Sequence, residues 1–379
     1  MNARERFIAI MHFTEADRVP YHELGAWGQT IARWYKEGLP RVDNRGPGGY
    51  WEFLYGHEYF GLDRRDYLDL NMGPLAPFQP VVIEENERYV VAVNERGIKT
   101  KALKEGTVLG TRPSMDQYLE FPVKNRADFR KLKRRYDPHS PFRYPKWWKD
   151  KVKCWQIRDY PLCLVPNGCL GFYGTLREWM GTENLSYAFY DNPVLIHEMT
   201  EFLADFIIEA TRRALEEVKV DYFNFWEDLA GKGGPLISPR IFREFMFDPY
   251  KRVIDFLHRH GVDIITLDSD GEFEVLIPLL LEVGVTGIWP LEVAAGMGPV
   301  CLRKKYGKNL ALSGGIDKRA LTKDKKAIEQ ELMSKIPYLI EQGGYIPTID
   351  HAVPPDVSLE NFMYYLSLKK KIAEGKLGI

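Results

Sequence analysis

The sequence predicts an α/β fold, a (β/α)8 TIM barrel, and three observations support this fold class. From about residue 150 onward, short apolar segments rich in β-branched residues alternate with segments of helical periodicity. Glycines end most of the predicted helices, and no G-x-G-x-x-G motif follows a predicted strand, which argues against a dinucleotide-binding fold. A chain of 379 residues is long enough for one such barrel, so we expect a single domain over residues 1–379.

The N-terminal part of the chain differs from the rest in composition. A short helix is predicted within residues 1–12 and a first strand at residues 21–25. Residues 27–150 are rich in Trp, Tyr, Pro and Gly, so we expect an insertion that caps the barrel mouth, with a β-hairpin at residues 89–101. Its aromatic side chains either form its own core, which we favour, or line a ligand cavity: Trp27, Trp34, Tyr35, Trp51, Phe53, Tyr55, Tyr59 and Phe60.

The remaining elements are predicted to alternate as strand and helix. The strands are expected at residues 160–166, 221–226, 264–267, 287–291, 310–312 and 345–349. The helices between them are expected to be continuous, including one from the N-cap Ser238 to His260 and one that ends at Gln342. Seven or eight such units favour a closed barrel over an open sheet.

Composition excludes several classes of partner. The net charge of -1 provides no field that would attract a nucleic acid or an anionic membrane. The four cysteines are scattered and form no C-x-x-C pair. This pattern is typical of free thiols in a reducing cytoplasm. Neither a secretory signal nor an apolar segment of membrane-spanning length is evident, so we expect a cytoplasmic protein.

The stretch IITLDSDG at residues 264–271 has the strongest functional pattern. It begins as an apolar run typical of a strand buried on both faces and ends in Asp268, Asp270 and a glycine. Burying an unpaired carboxylate is costly, so acids at a strand end indicate a cation, a metal or a proton-transfer task. The alternative is a solvated turn, since Asp, Ser and Gly are also turn residues.

The same pattern recurs after the other predicted strands, and in a barrel these positions converge on the carboxyl-terminal rim. We therefore expect an acidic rim that also carries imidazoles. The candidate catalytic residues are Glu227, Asp268, Asp270, Glu292 and His351. The candidate substrate-binding residues are His22, Asn167 and Asp317.

Such a rim has two chemical uses, and the residues alone leave both open. Asp268, Asp270 and His351 could hold zinc or another divalent metal, because oxygen and nitrogen ligands suit such ions. Alternatively, one acid with a raised pKa donates a proton while its neighbour stays ionised. Asp268 and Asp270 are two residues apart on an extended chain and so point the same way.

Three sets of motifs occur along the chain: RERF at residues 4–7 with DRVP at residues 17–20, EDLAGK at residues 227–232 with ISP at residues 237–239, and GGID at residues 314–317. Together they resemble the uroporphyrinogen decarboxylase-like superfamily. The resemblance covers nearly the whole chain apart from the aromatic insertion and implies a (β/α)8 barrel. Members of this superfamily include porphyrinogen decarboxylases and corrinoid-dependent methyltransferases.

Departures from the family patterns narrow what the resemblance implies. The arginine-bearing signature of the decarboxylases is missing, since residues 21–25 read YHELG. Thiol-methylating members bind zinc through a His-x-Cys-Gly strand end and a distant Cys. Here the matching positions hold DSDG at residues 268–271 and His351, so the soft ligands are gone. The chain is thus similar to the branch that demethylates methyl ethers or quaternary amines.

We therefore expect a methyltransferase that passes a methyl group from a small substrate, an aryl methyl ether, to the cob(I)alamin of a partner corrinoid protein. Cobalamin is expected on the partner because no D-x-H-x-x-G motif is present. One alternative is a methyltransferase for a quaternary amine of the glycine-betaine type. Another is a decarboxylase or lyase with Arg158, Arg177 or Lys232 in a cationic pocket, and a third is a non-catalytic corrinoid-binding module.

Overall fold

Residues 1–41, 53, 56, 58–68, 70–109, 112–164 and 170–376 are described in the computed structural model. Asn167, Trp51 and Tyr55 lie outside the described residues. The roles expected for these three residues therefore stay predictions.

The chain begins with helices α1 (Ala3–Met11) and α2 (Gly28–Lys36) and strand β1 (Asp66–Tyr67). The Asn2 side chain accepts from Glu5 N and the Glu5 side chain accepts from Asn2 N, a reciprocal cap that starts α1. β1 pairs in parallel with residues 162–163 of the main sheet. The predicted insertion at residues 27–150 is therefore wrong in one respect, because part of it is barrel sheet. A two-residue strand has no periodicity by which the sequence could reveal it.

A separate antiparallel sheet follows, with two helices after it. Its elements are β2 (Val81–Glu85), β3 (Tyr89–Val93), β4 (Lys99–Leu103) and β5 (Gln117–Glu120), then α3 (Arg126–Lys133) and α4 (Trp148–Gln156). The predicted hairpin is confirmed, since β3 pairs with β4 and Gly97 adopts φ +80° in the turn. The loop between β4 and β5 contacts α2, where Gln29 Nε2 donates to Gly106 O at 3.2 Å.

Six further strands join β1 in a parallel sheet. In chain order they are β6 (Leu162–Cys163), β7 (Tyr222–Trp226), β10 (Ile264–Asp268), β11 (Gly287–Trp289), β12 (Ala311–Ser313) and β13 (Tyr345–Ile346). Strands β8 (Ala230–Gly231) and β9 (Gly234–Pro235) lie between β7 and β10 and form a separate small hairpin. The sheet order is β1-β6-β7-β10-β11-β12-β13, with every neighbouring pair parallel. The predicted alternation of strands and helices around a parallel sheet is confirmed.

An extended segment spans the gap between the two edges of this sheet. Ala26 forms a parallel bridge with Val353, and Val353 N donates to Gly25 O at 2.8 Å. At the other side, Asp63 N donates to Tyr21 O at 2.9 Å, close to β1. The expected first strand at residues 21–25 is therefore not a regular strand, and the sheet is a curled one of seven described strands. The predicted (β/α)8 barrel is confirmed in part, as a curled parallel sheet with helices around it.

Apolar side chains from both edges and from the middle of the sheet meet in one interior cluster. Its members are Phe7, Ile10, Met11, Val19, Leu24, Tyr67, Cys163, Tyr222, Ile264, Ala311, Ile346 and Ala352. Helix α1 covers the amino end of the sheet, because Arg4 N donates to Asp159 O and Arg4 Nε contacts Asp221, just before β6 and β7. The carboxyl end is left for the functional side chains.

The outer helices are α5 (Phe172–Met180), α6 (Thr182–Asp191), α7 (Pro193–Glu217), α8 (Pro239–Phe245), α9 (Phe247–Arg259), α10 (Ile277–Val283), α11 (Pro299–Tyr306), α12 (Lys318–Leu321), α13 (Lys325–Met333), α14 (Ile336–Gln342) and α15 (Leu359–Ala373). Two helices expected to be continuous are divided. Pro249 and Pro337 lack an amide proton and stand in the first turns of α9 and α14, so new helices begin there. In the described part of the chain, no helix is long and apolar enough for a membrane crossing.

Several aromatic side chains of the N-terminal region form a core. Trp34 stacks on Phe362 of α15 with ring centroids 4.8 Å apart, and Phe53 and Phe60 pack on the same ring. All three N-terminal residues are at most 3% exposed. For these residues the core interpretation is confirmed over the ligand-cavity alternative.

Candidate active site

The acids predicted for the rim follow the carboxyl ends of the strands. Glu227 follows β7, Asp268 ends β10 and Glu292 follows β11. Backbone contacts join these segments, because Glu227 N donates to Asp268 O at 2.9 Å and Gly271 N donates to Glu292 Oε2 at 3.0 Å. Acids from distant parts of the sequence therefore lie at one end of the sheet.

Asp268 is a buried acid whose carboxyl group has no hydrogen-bond partner among the described residues. The residue is 7% exposed. Burial raises the pKa of Asp268 well above its ordinary value, and the negative charges of Asp228 and Asp270 raise it further. Burial thus favours the protonated form of Asp268, which is the form that a general acid needs.

Asp270 and His351 form an ion pair beside Asp268, with His351 Nε2 3.5 Å from Asp270 Oδ2. Burial alone would raise the pKa of Asp270, but the hydrogen bond and charge of His351 outweigh it and the pKa is lowered. Burial alone would lower the pKa of His351, but Asp270 outweighs it and the pKa is raised. The pKa values of the two neighbouring aspartates are therefore shifted in opposite directions, as the acid-pair hypothesis requires.

Lys318 is a functional candidate that the sequence reasoning missed. Its Nζ lies 3.3 Å from Glu292 Oε1 and 3.6 Å from Asp350 Oδ1, and its backbone N donates to Asp350 at 3.1 Å. Its positive charge also helps to lower the pKa of Asp270. The available signal was its position directly after the GGID motif, but only acids and imidazoles were considered at strand ends.

A cavity of about 370 Å³ opens at this end of the sheet. Glu292, Lys318 and His351 line it together with Trp27 and apolar residues of the segment that follows His351. Pro113, from the loop between β4 and β5, also borders it. The small antiparallel sheet therefore contributes one loop to the mouth, and its role as a cap stays a prediction.

Glu227 holds two elements together. Its carboxylate accepts from Phe172 N at 2.6 Å, from Gly174 N at 2.9 Å and from the Tyr250 hydroxyl. Burial raises the pKa of Glu227 to about 7, although these three donors act in the opposite direction. A Cβ at Gly171 would lie 1.9 Å from Trp226 O, so glycine is what lets α5 approach β7 this closely. Glu227 is therefore a structural link, and the expectation of a catalytic role finds no support.

Asp317 and His22 lie away from the mouth cavity. Asp317 caps α12 by accepting from Arg319 N and forms an ion pair with the Arg319 side chain at 2.7 Å. His22 is 3% exposed and lines a different cavity, inside the barrel. Burial lowers the pKa of His22 well below its ordinary value, so its ring is neutral. Substrate binding by Asp317 finds no support in these contacts.

The described side chains do not fit the suggested metal site. Asp270 and His351 are paired with each other, and burial favours the protonated form of Asp268, which is not a metal ligand. Within the described ranges, no group of three or more His, Cys, Asp or Glu side chains is arranged to hold a metal ion. No chemical step below is therefore assigned to a metal.

The sequence of this chain matches a known protein family. The sequence model of the family "Uroporphyrinogen decarboxylase (URO-D)" matches residues 176–372, just over half of the chain. Uroporphyrinogen decarboxylase of Campylobacter lari is 25% identical over 194 residues, covering 47% of this chain and 49% of the relative. That of Nautilia profundicola is 24% identical over 196 residues, covering 48% and 51%. The chain spans about half the length of these curated relatives.

A solved structure resembles the fold over nearly its full length. A methyltransferase from Methanosarcina mazei superimposes with a TM-score of 0.60 at 15% identity, covering 98% of this chain and 99% of that one. At such identity the likeness concerns the fold alone. Together with the family match, it confirms the resemblance found in the motifs at residues 227–239 and 314–317, and the chain belongs to the uroporphyrinogen decarboxylase family.

Proposed function

We propose that this chain is a methyltransferase that demethylates a small aryl methyl ether and passes the methyl group to the cob(I)alamin of a partner corrinoid protein. The observation that carries the proposal is Asp268, a buried acid with a raised pKa at the carboxyl end of β10. The likeness in fold to the M. mazei methyltransferase is consistent with it.

The chemistry needs an acid because a phenoxide is a poor leaving group. The methyl acceptor on the partner supplies the electron pair of the new bond to the methyl carbon. The electrons of the broken carbon–oxygen bond pass to the ether oxygen, which takes the proton of Asp268. The product is then a neutral phenol, and Asp268 regains its proton from solvent. Proton donation of this kind contributes about 10² to 10⁴-fold to a rate.

The neighbouring charges maintain the protonation state that this step requires. The negative charge of Asp270 helps to keep the proton on Asp268. His351 and Lys318 in turn keep Asp270 ionised. Because these groups are fixed before substrate arrives, little reorganisation accompanies the transfer of charge.

The protonated acid favours an ether over a quaternary amine. A quaternary amine of the glycine-betaine type leaves as a neutral tertiary amine, which needs no proton. The half-buried rings of Trp27, Trp226 and Trp289 would suit either an aromatic ring or a methylated cation. The quaternary amine is therefore kept as an arm of the test.

A decarboxylase or lyase is the second candidate, because the curated relatives are uroporphyrinogen decarboxylases. Such a reaction needs cations for the substrate carboxylates. Arg177 is paired with Asp228 at 2.9 Å, and Arg158 is paired with Asp221 at the opposite, amino end of the sheet. Lys232 is exposed between β8 and β9. These positions do not form the cationic pocket that the alternative requires.

The test is an assay of the purified protein with a reduced corrinoid protein. An aryl methyl ether, glycine betaine and a porphyrinogen are supplied separately, and corrinoid methylation is followed by absorbance. We expect methylation with the ether alone. Methylation with glycine betaine alone would overturn the ether proposal in favour of a quaternary amine methyltransferase. Release of carbon dioxide from the porphyrinogen would overturn it in favour of a decarboxylase. Corrinoid binding without turnover of any substrate would identify a binding module.

A further inference from the structure

A cavity of about 50 Å³ lies inside the barrel, below the layer of the sheet that contains Asp268. Its wall includes His22, Asn224, Thr266 and Trp289, the charged residues Glu23 and Arg65, and apolar side chains of α1 and the strands. On this measure a cavity needs about 10–15 Å³ to hold one water molecule, so there is room here for a small polar substituent.

Two polar atoms of residues in this wall lack a hydrogen-bond partner among the described residues, namely Asn224 Nδ2 and His22 Nε2. Both residues are 3% exposed. A buried polar group without a partner costs about 1–3 kcal/mol, and in native proteins such groups are nearly always satisfied by protein, water or ligand. The two atoms therefore indicate a missing oxygen-bearing partner.

The orientation of the Asn224 amide is determined by its neighbours. Asn224 Oδ1 accepts from Trp289 Nε1 at 2.7 Å and from Thr266 Oγ1 at 2.7 Å. An indole N–H can only donate, so the atom that faces it must be the amide oxygen. Nδ2 is then a donor held in a fixed direction, and its natural partner is an acceptor oxygen.

The His22 ring is neutral, because burial lowers its pKa and the positive charge of Arg65 lowers it further. Arg65 Nη2 donates to Glu23 O, and the Glu23 carboxylate accepts from Lys369 and Tyr365. A neutral imidazole can either donate to or accept from a hydroxyl group, so His22 and Asn224 together suit a hydroxyl.

We propose that this cavity is a subsite for an oxygen-bearing substituent of the substrate, chiefly a ring hydroxyl, which accepts a hydrogen bond from Asn224 Nδ2. The proposal rests on the proposed function and deepens it. Thr266 lies two residues before Asp268 on the same face of β10, which places the two layers about 7 Å apart. A substituent on a ring held beside Asp268 reaches that distance.

The experiment compares two methyl ethers that differ by one hydroxyl, 4-methoxyphenol and anisole. Binding to the full chain is measured by titration calorimetry without any corrinoid protein. We expect 4-methoxyphenol to bind about 10-fold more tightly, the value of one hydrogen bond to a buried donor. The variant Asn224→Leu should lose this preference while keeping its affinity for anisole.

A matched control separates the donor from a general disturbance of the wall. Thr266→Val removes one bond to Asn224 Oδ1 but leaves Nδ2 and the Trp289 contact in place, so the preference should persist. Loss of the preference in Thr266→Val as well would overturn the assignment to Nδ2. Should Asn224→Leu fail to fold, the wild-type comparison still tests the proposal, because equal affinity for the two ethers would overturn it.

The outcomes distinguish this subsite from the proposed function. Equal affinity of the wild-type protein for both ethers would overturn the subsite and leave the ether substrate intact. Binding of neither ether would overturn both. A preference for 4-methoxyphenol that depends on Asn224 would support the subsite even if no methyl transfer were found.

Discussion

The two ends of the parallel sheet each bury an aspartate, but in opposite settings. At the amino end, the Asp221 carboxylate accepts from Arg158 Nη2 at 2.7 Å, Arg4 Nε at 2.9 Å and Leu162 N at 2.9 Å. At the carboxyl end, Asp268 has two other carboxylates nearby and no hydrogen-bonded cation among the described residues. The Asp221 charge is thus neutralised by bonded cations at the end that holds the fold together. At the end proposed for chemistry, Asp268 has no cation bonded to it, although the acids around it are paired, as expected for a functional site.

The largest expected effect is on the reaction rate, at the carboxyl end of the sheet. Asp268→Asn keeps the shape of the side chain but removes the proton, so the rate of methyl transfer from an aryl methyl ether should fall about 10³-fold, or about 4 kcal/mol. The measurement is the initial rate of corrinoid methylation. Asp317→Asn, which keeps a capping side chain away from the mouth cavity, is the control and should retain the wild-type rate.

The same variant should not lose stability. In the unfolded chain the carboxyl group of residue 268 ionises above its ordinary pKa, whereas in the fold its raised pKa favours the protonated form. Its burial therefore weakens folding as pH rises above the ordinary pKa. Asn removes this penalty. Urea unfolding near pH 7 should therefore give an equal or higher free energy of unfolding, and a clear decrease would contradict the assignment of a protonated Asp268.

The next prediction concerns stability at the amino end of the sheet. Arg158→Ala leaves the buried Asp221 without its fully buried partner, so the free energy of unfolding should fall by about 3 kcal/mol. The rate per folded molecule should stay unchanged. Lys251→Ala breaks an exposed pair with Asp255 and should cost well under 1 kcal/mol. If the buried variant cost no more than this control, the contrast between the two ends would be lost.

The smallest effect is expected from the Asp270–His351 pair, which is partly exposed. The raised pKa of His351 contributes stability at low pH that is lost as pH rises through it. The lowered pKa of Asp270 contributes stability that is lost as pH falls through it. His351→Gln should therefore cost at most about 1 kcal/mol near pH 5.5 and almost nothing near pH 9, as measured by urea unfolding. An equal cost at both pH values would exclude an ion pair.

Part of the site could be predicted from the sequence, and part could not. The position of Asp268 and Asp270 at a strand end follows from an apolar run that stops in acids, which is a local pattern. Lys318 was missed because its role depends on Glu292 and Asp350, from two other strand ends. The same pattern predicts a catalytic role for Glu227, because a sequence pattern cannot show that the segment at the start of α5 supplies two backbone amides to this carboxylate.

What the sequence by itself determined is the order of strands and helices, the hairpin β3–β4 and the placement of acids after strands, because all depend on local periodicity and turn residues. Only the tertiary structure decided which acid keeps its proton. Protonation depends on burial and on charges within a few ångströms, and for Asp268 these come from Asp228 and Asp270 on two different loops. The strand β1 and the cavity at Asn224 belong to the same category, since both exist only when distant segments meet.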